Sequence, residues 1–261
     1  MRASTQFSQT FEEVSSALLD VQGIRHIIEP GVSVAYYDGT VNNTDLPIYD
    51  PEVERLTEGG VIRLGVVNTL QTQRGGAGRT RTVDWLRLRT DIVLVQEDAA
   101  NPLAIGRYYD YRPEYTLGDD HFYSELMWAV TEATALTGEL THNFDQGGVV
   151  QWRLGIENQH TDRLTTAIHY REIDALNARL LSYGLDLLLT TKYRVGIYQV
   201  IDFGDGSSRT ITLTLDRQLP RASIGLAIGY DDLDGEASLS ITITPDGIRR
   251  ALTGAGFFGG R

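Results

Sequence analysis

The sequence predicts an all-β fold: part of an antiparallel up-and-down transmembrane β-barrel, with about 12 to 14 strands. Three observations carry this. Polar and apolar residues alternate with period two along most of the chain, turn-forming clusters separate the alternating segments, and aromatic residues recur near the segment ends while glycine and charge share the polar side. Such alternation puts successive side chains on opposite faces of an extended chain.

The pattern is cleanest in the second half. Leu164, Thr166, Ile168 and Tyr170 alternate with Arg163, Thr165, Ala167, His169 and Arg171. Val150, Trp152, Leu154 and Ile156 alternate with Gln151, Arg153, Gly155 and Glu157, and Leu181, Tyr183, Leu185 and Leu187 with Ser182, Gly184 and Asp186. The same reading holds for Tyr193, Val195 and Ile197; for Ile211, Leu213 and Leu215; for Ile224, Leu226, Ile228 and Tyr230; and for Leu239, Ile241 and Ile243. Residues 144–148, 204–208, 219–221 and 231–235 are rich in Gly, Asp, Ser and Pro, which suit tight turns. Upstream, strands are expected near 5–14, 24–36, 61–72, 83–96, 107–117, 122–131 and 136–144.

Residues 37–60 break the rhythm with Asn42-Asn43, Pro47 and Pro51 among acidic residues, and form an expected surface or functional loop. Counting strands back from the C-terminus places this loop at the same end as the turn at Leu219-Pro220. Long loops and short turns of a membrane barrel belong at opposite ends, so one strand between Asp98 and Phe144 is expected to be miscounted. Residues 1–245 form the expected barrel portion and 246–261 a tail.

Composition removes several function classes. The 261 residues carry 23 Lys+Arg against 35 Asp+Glu, a net charge of −12, and Lys192 is the only lysine. A nucleic-acid surface is therefore not expected, because phosphate binding draws on clustered cations. The absence of Cys removes thiolate metal sites and a Cys nucleophile. No apolar run approaches the length of a membrane-spanning helix, a limit that does not apply to strands. The N-terminus lacks the apolar region of a signal peptide.

The motif Ile24-Arg25-His26-Ile27-Ile28-Glu29-Pro30, followed by Leu46-Pro47-Ile48-Tyr49-Asp50 and Asn68-Thr69-Leu70-Gln71-Thr72, resembles the C-terminal barrel half of the lipopolysaccharide-assembly outer-membrane protein family, LptD/OstA. The closing hairpins from Ser182 to Gly247 are similar to that family's last strands. The resemblance implies an outer-membrane location and a role in inserting lipopolysaccharide into the outer leaflet. Its implied partners are lipopolysaccharide, an outer-membrane lipoprotein plug, periplasmic bridge proteins and membrane lipid. The family's N-terminal periplasmic domain, first barrel half and cysteines are missing, so a fragment or a divergent member is expected.

The expected polar lining comprises Arg25, His26, Glu29, Arg153, Glu157, Arg163, His169, Arg171 and Arg194. Arg25, His26 and Glu29 suit a charged lumenal cluster or equally an ion pair that fixes strand register. Arg153, Arg163, Arg171 and Arg194 could guide phosphorylated head groups by charge-assisted bonds, while Glu157, Asp186 and Asp216 suit a balanced, solvated wall. Asp231, Asp232, Asp234 and Glu236 are weak candidates for a hard cation and equally an ordinary solvated hairpin tip. The Gly254-to-Gly259 and Asp202-Phe203-Gly204 motifs lack the neighbours that nucleotide binding or kinase chemistry needs. No cofactor and no enzymatic activity are expected. The readings left open are an outer-membrane barrel lipid hydrolase, which needs Ser, His and an acid converging on one face, and a soluble β-sandwich binding module, which needs the apolar stripes buried.

Overall fold

A computed structural model describes residues 1–37, 59–75, 78, 80–96, 119–204, 207–232 and 235–245. These form one 14-stranded sheet, an antiparallel meander in which each strand from β3 onward neighbours the next in sequence. The strands are β1 (Arg2–Ser4), β2 (Phe7–Ser16), β3 (Val21–Tyr37), β4 (Gly59–Arg74), β5 (Arg81–Val95), β6 (His121–Ala129), β7 (Thr134–Asn143), β8 (Gly148–Thr161), β9 (Leu164–Ile173), β10 (Ala178–Thr190), β11 (Tyr193–Asp202), β12 (Ser207–Gln218), β13 (Ala222–Asp231) and β14 (Glu236–Pro245). β1 and β2 both pair with β3 and together make one edge of the sheet. Among the described residues no helix is long and apolar enough to cross a membrane.

The expected strand near 107–117 lies outside the described residues, as does the Leu46-to-Asp50 motif. β5 pairs directly with β6, from Leu86 opposite Trp128 to Val93 opposite His121. The sequence-based placement of the 37–60 loop, and the strand count between Asp98 and Phe144, fall largely on residues outside the described ones.

By packing, the chain divides into two compact units: Met1–Ala129 with Gly138–Trp152 and Asp174–Leu176, and Val130–Thr137 with Arg153–Ile173 and Asn177–Arg261. In the first unit, one face carries Phe7, Ile28, Val32, Val34, Ile62, Leu64, Leu88, Ile92 and Leu94, which fall opposite one another through the registers of β2 to β5. The other face carries Arg63, Arg87, Arg89, Asp91 and Tyr123.

In the second unit, the cross-strand row Leu185, Ile197, Leu213, Ile228 and Leu239 is apolar from β10 to β14. The row on the opposite face at a similar level is Gly184, Tyr198, Thr212, Gly229 and Ser238.

Burial is inverted relative to a water-soluble sheet. The largest fully buried side chains are Arg74, Asn143, Thr141, Asp91 and Asp202, whereas Ile168 and Ile228 are each 51% exposed and Leu213 46%. A sandwich would cover those stripes with a second sheet. Among the described residues nothing covers them within either unit, so the sandwich reading fails on the feature that would have defined it.

Buried polar groups fix the strand ends. In the first unit Arg74 donates from Nε to the Asp20 carbonyl at 3.2 Å, and from Nη2 to the carbonyls of Leu19 at 3.0 Å and Ala129 at 2.9 Å. One guanidinium thus holds the β2–β3 turn, where Asp20 adopts a positive φ of 49°, against the end of β6. In the second unit Asp202 Oδ1 accepts from the Arg179 amide at 3.1 Å and the Gly204 amide at 2.8 Å.

Candidate functional site: the polar face of the sheet

The densest charge network lies in the first unit and crosses β4 to β7. Arg63 Nε donates to Asp91 Oδ1 at 2.7 Å, and Arg89 Nε lies 2.6 Å from Asp91 Oδ2. Asp91 is thus clamped by two guanidiniums, and its side chain is 2% exposed. The Arg89 guanidinium carbon sits 5.6 Å from the centre of the Tyr123 ring, within cation–π range. Tyr123 then donates its hydroxyl to Glu139 Oε1 at 3.2 Å.

Strand alternation explains why these groups meet. Arg87, Arg89 and Asp91 stand two residues apart on β5 and share its polar face. Asp91 faces Gly65 on one side and Tyr123 on the other, and Arg89 faces Glu125. A Cβ at Gly65 would overlap Asp91 Oδ1 and come within 3.1 Å of an Arg63 terminal nitrogen. Glycine here is a recess that seats the carboxylate. Arg87 lies between Thr69 and Met127 in the register and is exposed.

The same device recurs in the second unit. A Cβ at Gly225 would lie 2.7 Å from Asp216 Oδ1, one at Gly196 2.5 Å from Thr214 Oγ1 and one at Gly229 2.6 Å from Ser238 Oγ. Each polar side chain leans over the glycine of the next strand, so the face presents low relief. These glycines stand on the polar side, as the alternation requires.

The residues singled out from sequence are distributed as follows. Arg25 and Glu29 lie on the polar face of β3, opposite Gln71 and Val67, and Arg25 Nη2 approaches Ser8 Oγ at 3.5 Å. His26 is on the other face, opposite Gln9 and Leu70, with Nε2 3.1 Å from Asn68 Oδ1. Alternation therefore separates His26 from the two residues grouped with it. His169 Nε2 lies 3.9 Å from Glu157 Oε1, and its ring occupies the space a Cβ at Gly155 would take. Arg194 Nε is 3.4 Å from Asp186 Oδ1 and stands opposite Asp216.

Arg153 lies in β8 and Arg171 in β9, opposite Leu180, whereas Arg163 falls in the turn between these strands. Asp231 ends β13 opposite Glu236, Asp232 follows it, and Asp234 lies outside the described residues. Among the described residues no three His, Asp or Glu side chains converge on a metal-binding geometry. Sequence reasoning passed over Arg63, Arg89, Asp91, Tyr123 and Glu139. The spacing of Arg87, Arg89 and Asp91 was the available signal.

No protein-family profile and no curated protein matches this chain. Among solved structures, a mutant porin of Rhodopseudomonas blastica is similar at 8% identity, covering 95% of this chain and 90% of that one, with a TM-score of 0.46. A second mutant of that porin gives 10% identity, 94% and 100% coverage and a TM-score of 0.47. A KdgM porin gives 11% identity, 73% and 92% coverage and a TM-score of 0.34.

The resemblance to the lipopolysaccharide-assembly family is corrected by these findings: no family profile supports it, and the solved structures found are porins of similar extent rather than parts of that very large barrel. Two of its motifs lie on facing strands, Arg25 to Ile28 pairing directly with Gln71 to Asn68. The partners inferred through that family, namely lipopolysaccharide, the lipoprotein plug and the bridge proteins, lose the ground they stood on.

Proposed function

We propose that this chain is a membrane-spanning β-sheet protein of an outer membrane and forms the wall of a channel for small polar solutes. The observation that carries this reading is the inverted burial: exposed Ile, Leu and Val on one face of each unit, and buried or half-buried charge, hydroxyl and glycine on the other. In water, exposed apolar stripes are costly, at roughly 25 cal/mol per Å². Against hydrocarbon that penalty vanishes, and the alternate face is left to surround water.

Strand dimensions agree. β3, β4, β5 and β8 have 17, 16, 15 and 14 residues, more than the roughly 9 to 11 a tilted strand needs to cross the hydrocarbon layer.

The test is refolding of the full chain into liposomes and planar bilayers. Stepwise ionic conductance and passage of small neutral sugars are expected. A protein that inserts yet conducts nothing would remove the channel reading, and one that stays water-soluble without detergent would remove the membrane reading as well.

A further inference from the structure

Arg63, Asp91 and Arg89 form a compact charge unit whose carboxylate is enclosed and whose position depends on a missing side chain at Gly65. Arg89 is further fixed by the Tyr123 ring, and Tyr123 by Glu139. Asp91 is held by Arg63 and Arg89, Arg89 by Asp91 and the Tyr123 ring, and Tyr123 by Arg89 and Glu139. Two guanidiniums meet the Asp91 carboxylate, with Glu125 facing Arg89 and Glu139 beyond Tyr123. Removing the charge of Asp91 would add one positive charge at one point on the wall.

We propose that Asp91 is the residue of this polar face that determines ion selectivity, and that Gly65 is the positioning residue that seats it. This rests on the channel reading above. In a narrow aqueous space bounded by low-dielectric walls, a fixed charge repels ions of its own sign more strongly than in bulk water. Asp91 offsets one of the two charges of Arg63 and Arg89, which makes the wall more permissive to cations than it would be without that carboxylate. Gly65 maintains that masking by leaving room for the carboxylate between its partners.

The experiment measures reversal potentials in planar bilayers under a potassium chloride gradient. Asp91→Asn should lower the ratio of potassium to chloride permeability severalfold. The double variant Arg63→Gln with Asp91→Asn restores the original net charge and should return the ratio close to the wild-type value. A merely structural role would make the double variant at least as disturbed as the single one. Arg63→Gln alone should shift the ratio towards potassium, which keeps the test available if Asp91→Asn does not insert.

Gly65→Ala should broaden or split the conductance level as Asp91 loses its seat. Unchanged ratios in Asp91→Asn and Arg63→Gln, with conductance intact, overturn the proposal. Absence of conductance in the wild type removes the channel reading instead.

Discussion

Gly65 and Asp91 face each other across β4 and β5, and the Asp91 carboxylate fills the space a Cβ on residue 65 would need. Gly65→Ala should therefore cost about 1 to 3 kcal/mol through overpacking. Unfolding of the liposome-inserted protein in urea measures it. The cost should shrink when Asp91 is first shortened to Ser, since the two sites are in contact and their effects are not independent.

Ile228 and Ala227 are neighbours on β13 that point to opposite faces. If Ile228 meets hydrocarbon near the midplane, Ile228→Arg should cost about 2 to 4 kcal/mol. Ala227→Arg, placed between Thr214 and Ser240 on the polar face, should cost much less. Equal costs at the two positions in the same unfolding assay would contradict the assignment of faces.

Spin labels offer a reading of faces independent of stability. Labels at Leu164, Ile168, Leu181, Leu185, Ile224, Leu226 and Ile228 in bilayers should relax with oxygen and resist a polar relaxant. Labels at Thr212 and Thr214 should do the reverse. The opposite pattern is incompatible with an apolar exterior.

Arg74 is almost wholly buried and holds three backbone carbonyls. Arg74→Met leaves those acceptors without their charged donor, at about 1 to 3 kcal/mol or more. Arg74→Lys should recover only part of this, because one ammonium cannot reproduce the spread of a guanidinium fork. Faster backbone amide exchange at residues 19–22 and 128–130 should accompany the loss.

Much of the sheet was legible in the sequence because side-chain direction in a strand depends only on parity. Ile224, Leu226 and Ile228 could be assigned to one face with no knowledge of neighbours. The charge network was less legible, since Gly65 and Asp91 meet only through register. Between β4 and β5 that register shifts at Leu70/Gln71, where an irregularity leaves no mark in the alternation.

His26 shows the complementary limit. It stood in a charged motif with Arg25 and Glu29, yet an odd spacing to each places it on the opposite face. Parity alone would have separated it had it been applied to that motif.

An inside-out distribution of oil and charge changes what holds the protein together and when. Backbone ladders bind the strands, but little oily interior collapses ahead of them, so the chain between ribosome and bilayer has no drop of its own to condense around. Left bare in cytosol or buffer, the Ile and Leu rows would adhere to one another across molecules and precipitate. A surface of that kind stays dispersed only where detergent or lipid covers it.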